Sequence, residues 1–62
     1  MNRTQKLQLV YLLNSYKVEN LNTLELAMKM KTEESFQVLI ENHLRTIESL
    51  ISMLNCEIHE EL

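Results

Sequence analysis

The sequence predicts an all-α chain, and three observations carry that expectation. Its 62 residues include neither glycine nor proline, so tight hairpin turns that need positive φ are poorly served. Good helix formers such as Leu, Glu, Lys, Met and Gln dominate, while aromatic residues are few. Finally, Ile40, Leu44, Ile47, Ile51, Leu54 and Ile58 follow one another at spacings of four, three, four, three and four. That is the 3.5-residue repeat of a helix whose apolar seam faces another helix.

The elements follow in order, as a single small domain over residues 1–62. Residues 1–3 should fray, with Thr4 as the N-cap of a first helix over about residues 5–17. Its core residues Leu7, Leu9, Val10, Tyr11, Leu12 and Leu13 cover most of the helix circumference, so it needs cover on more than one side. Asn14, Ser15, Asn20 and Asn22 weaken the pattern beyond it. Asn22 with Glu25 three residues on has capping-box spacing, and Leu21 and Leu26 stand where a hydrophobic staple would put them. A second helix is therefore expected over about residues 23–31, with Leu24, Ala27 and Met28 on its inner face. Thr32 then caps a third helix over about residues 33–58, with Glu33 and Glu34 at the favourable end of its dipole. Phe36, Leu39 and His43 extend the apolar face beside the seam. Asn55, Glu57, Glu60 and Glu61 oppose continuation, because negative charge is disfavoured at a helix C-terminus. The result is a small bundle of three helices. The alternative joins the first two helices into one, giving a two-helix hairpin that dimerises into a four-helix bundle.

Charge and size bound the function. Residues 1–31 carry Arg3, Lys6, Lys17, Lys29 and Lys31 against Glu19 and Glu25. Residues 32–62 carry Arg45 against Glu33, Glu34, Glu41, Glu48, Glu57, Glu60 and Glu61. Opposite halves of this kind attract when they fold side by side, within one chain or between two. The net charge of −3 argues against a nucleic-acid partner, and the few lysines are scattered. The longest apolar run, Leu9 to Leu13, is far short of the about 20 residues of a membrane span. Cys56 is the single cysteine, so no intrachain disulfide forms, and a reducing, cytoplasmic location is expected. A domain of this size buries only about 60% of its unfolded surface and is marginal alone, which points to a homodimer.

No residue set has the spacing of a catalytic, cofactor or metal site. Cys56 and His59 share a helix face, but structural zinc wants four ligands in paired spacing. His43 beside the seam lacks a nucleophile or carboxylate placed by any motif, and suits packing or hydrogen bonding at an interface. Tyr11 is of the type enriched at binding hot spots. The expected self-association or partner-binding residues are Tyr11, Ile40, His43, Leu44, Ile47, Ile51 and Leu54. The expected function is a non-enzymatic, protein-binding regulator or inhibitor without cofactor, which self-associates and docks on a protein partner through apolar helix faces. The alternatives are a structural self-assembling helical unit, or a small chaperone-like or phosphatase-like regulator.

Two resemblances fall on the same part of the chain. Through Tyr11, Leu12, Thr23, Leu24 and Glu25, residues 11–25 resemble the first helix and turn of the Hha/YmoA family of small enterobacterial regulators, which bind a nucleoid protein. That family's Asp-His-Arg element is echoed by Asn42, His43 and Arg45 with altered spacing, and its tryptophan-containing C-terminal segment is absent. Through Leu9, Tyr11, Leu12, Tyr16, Leu24 and Leu26, residues 7–30 also resemble the helical hairpin of the small sporulation aspartyl-phosphate phosphatases. Their Ser-Gln-x-x-Asp signature meets Ala27-Met28-Lys29-Met30-Lys31 here, without the acid. Two unrelated families matching the same twenty-odd residues report an amphipathic helix, and neither is assigned.

Overall fold

The computed structural model describes residues 1–60. They form two helices, α1 over Arg3–Lys29 and α2 over Glu34–Glu60, joined by a four-residue turn into an antiparallel hairpin. The Cα trace measures 45 × 15 × 14 Å, a rod two helices wide. The hairpin alternative is the architecture observed; the expected three-helix count is not.

Four local expectations are corrected with it. Asn2, not Thr4, caps α1: its side chain accepts from the Gln5 N–H at 2.8 Å. The Gln5 side chain in turn accepts from the Asn2 N–H at 3.0 Å, which completes a capping box. The box expected at Asn22 does not form, because α1 runs straight through it. Thr23 instead turns its hydroxyl back to the Glu19 carbonyl at 2.9 Å, the habit of a threonine inside a helix. A cap contributes about 1 kcal/mol, whereas breaking α1 there would uncover the far end of the α2 seam. Tertiary burial wins.

The third correction concerns Thr32, which closes α1 rather than opening α2. Its N–H and its hydroxyl both donate to the Ala27 carbonyl at 3.1 Å. The Lys31 N–H donates to the Met28 carbonyl at 3.3 Å. Together with Lys31 at φ 54°, these bonds make a Schellman ending, built here on a lysine because the chain has no glycine. At the start of α2 the Phe36 and Gln37 N–H groups reach the Glu33 carbonyl, and the Gln37 side-chain amide donates to the Thr32 carbonyl at 3.2 Å. Finally, α2 continues to Glu60 despite its terminal acids; Glu61 lies outside the described residues.

The core is the seam between the two helices. On α2, Ile40, Leu44, Ile47, Leu54 and Ile58 are buried, and Ile51 is half-buried. They face α1 positions 6, 10, 13, 17, 20, 24 and 27, again at alternating spacings of four and three. This second seam escapes a hydropathy reading because Lys6, Lys17 and Asn20 stand in it. The lysine stems lie along the seam while their ammonium groups reach Glu57 at 3.7 Å and Glu48 at 3.4 Å. These cross-helix pairs realise the charge contrast between the halves. Exposed as the glutamates are, each pair contributes at most about 1 kcal/mol. Asn20 is buried, and its side-chain amide donates to the Tyr16 carbonyl at 2.9 Å. Near the turn, Ala27 packs with Leu24, Ile40 and Leu44, its small side chain letting the helices approach. No side chain among the described residues is sealed off completely.

Candidate functional site

Five of the seven residues expected to serve self-association or partner binding line the seam of the hairpin. Ile40, Leu44, Ile47 and Leu54 are buried, and Ile51 is half-buried, against α1 of their own chain. His43 and Tyr11, by contrast, are exposed. They stand on two different faces, and these faces are the candidate sites.

The first is a groove along one side of the hairpin. Each α2 seam residue is preceded by a residue on a common flank: Phe36, Leu39, His43, Thr46, Leu50, Met53 and Glu57. The corresponding flank of α1 carries Gln5, Leu9, Leu12, Tyr16, Glu19, Thr23 and Leu26, with Leu12 and Leu26 at its outer margin. Where the helices meet, the flanks leave two open depressions in line. One, of about 270 Å³, is lined by Met1, Leu9, Leu13, Leu50, Met53, Leu54 and Glu57. The other, of about 240 Å³, is lined by Leu13, Tyr16, His43, Thr46, Ile47 and Leu50. Leu13 and Leu50 belong to both, so the depressions form one groove. Its side chains are mostly aliphatic or aromatic, and between Ser35 and Cys56 its α2 flank carries no Lys, Arg, Asp or Glu.

The flank was partly legible, since Phe36, Leu39 and His43 extend the seam face in sequence. Leu9, Tyr16, Leu50 and Met53 were not singled out as members of it. The signal that finds them is the seven-residue step. Leu9, Tyr16 and Thr23 on α1, and Phe36, His43, Leu50 and Glu57 on α2, each recur every seventh residue.

The second face is the outer side of α1, opposite the seam. Leu7, Gln8, Tyr11 and Leu12 line an open depression there. Four residues of one helix cannot enclose a cavity, so this is a corrugated ridge. Tyr11 is 72% exposed and Leu12 62%, with Val18 and Leu26 exposed further along. The outer side of α2 is more polar, presenting Ser35, Asn42, Arg45, Ser49 and Ser52 together with the exposed Val38. Met28, expected on an inner face, is exposed as well, because the continuous α1 turns it away from α2.

The remaining candidates stay apart. Cys56 and His59 are exposed near the end of α2. Among the described residues no three His, Cys, Asp or Glu side chains gather as a metal ion would require. No helix among them is long and apolar enough to cross a membrane. Set against protein families, curated proteins and solved structures, the chain matches none.

Proposed function

We propose that this chain is a non-enzymatic helical hairpin of the cytoplasm that self-associates and docks on a partner protein, as a small regulator or inhibitor. The observation that supports the docking role is the outer ridge of α1. Leu7, Tyr11, Leu12, Val18 and Leu26 lie open to solvent there, while the outer side of α2 is polar apart from Val38. Apolar area removed from water contributes about 25 cal/mol per Å², and a tyrosine adds a rigid anchor of the hot-spot type. A partner would be blocked, or held in one conformation, by having this ridge laid into a groove of its own, in the manner of an amphipathic helix. The second reading is a structural unit whose sole partner is itself, favoured by the groove between the helices, which needs no foreign protein to cover it.

A photo-crosslinking amino acid at position 11, with the same group at Glu41 as control, separates the two in cells of the native host. Docking predicts an adduct from position 11 alone whose mass exceeds the chain by something other than a multiple of 7.4 kDa. Adducts only at multiples of that mass would leave the structural unit standing and remove the docking role.

A further inference from the structure

We draw no further inference here: the strongest candidate, the apolar groove between α1 and α2 lined by Leu9, Leu13, Tyr16, Leu50 and Met53, is an unpartnered face of an elongated 45 × 15 × 14 Å rod, and nothing in the structure shows what covers it.

Discussion

Lys31→Gly should stabilise the hairpin, and the size of the effect follows from one dihedral angle. Lys31 sits at φ 54°, where an L-residue with a Cβ is disfavoured by about 1–2 kcal/mol. Helix α1 ends on this conformation: it lets the Lys31 and Thr32 N–H groups reach the carbonyls of Met28 and Ala27 at 3.3 and 3.1 Å. Glycine removes the steric penalty but loses more freedom on folding, which returns about 0.5–1 kcal/mol. The net gain is about 0.5–1 kcal/mol. For a domain of this size, 1 kcal/mol corresponds to about 4–8 °C in Tm, so a rise of about 2–8 °C is expected. The assay is thermal and urea unfolding followed by helical circular dichroism, at one fixed protein concentration because self-association shifts Tm by mass action. Lys31→Ala is the control, since alanine keeps the Cβ and removes only the long side chain. If the glycine variant melts no higher than the alanine variant, Lys31 is not the left-handed closing residue and the turn geometry is wrong.

Other substitutions probe the seam and the caps. Ile47→Ala, at a position 4% exposed, should destabilise by about 2–5 kcal/mol. A chain of this length has a total stability of about 3–9 kcal/mol, so a steep fall in Tm and in the urea midpoint is expected, and unchanged midpoints would remove Ile47 from the core. Asn2→Ala deletes the capping box and should cost about 1 kcal/mol; hydrogen exchange of the first-turn amides should quicken while those near Leu24 stay protected. Asn20→Leu replaces a buried amide whose hydrogen bond is to its own helix. Polar seam residues of this kind fix register at the expense of stability. The variant should therefore gain about 1 kcal/mol, yet give a broader distribution of distances between spin labels placed one on each helix; a less stable variant would refute the register role.

What the sequence revealed of this fold depended on which seam was apolar. The α2 seam is written in isoleucine and leucine at unbroken spacing, so its burial follows from the sequence. Its partner seam holds Lys6, Lys17 and Asn20, residues whose side chains serve the interface through methylene stems and a bond to the helix itself. No hydropathy pattern reports that. The break expected at Asn22 came from a local capping signal of about 1 kcal/mol, which cannot compete with packing continued along Leu24 and Ala27. The turn was equally hard to place. Its left-handed residue is a lysine rather than the usual glycine, and Thr32 resembles a helix start while bonding back to Ala27. The candidate faces were legible to the extent that Tyr11 and His43 were singled out. That they belong to two different surfaces follows only from the hairpin.

The distribution of polarity over α1 ties the two surfaces together. Among the residues this helix turns toward α2 are the polar Lys6, Lys17 and Asn20, and among those it turns toward solvent are the apolar Leu7, Tyr11, Leu12 and Val18. Exchanging the two sets would strengthen the hairpin as an isolated molecule, by burying apolar side chains and leaving ammonium and amide groups in water. Helix α2 shows less of this inversion: its buried seam is aliphatic, and its outer side is polar apart from Val38. The asymmetry makes physical sense if α2 supplies the stability and α1 supplies the contacts.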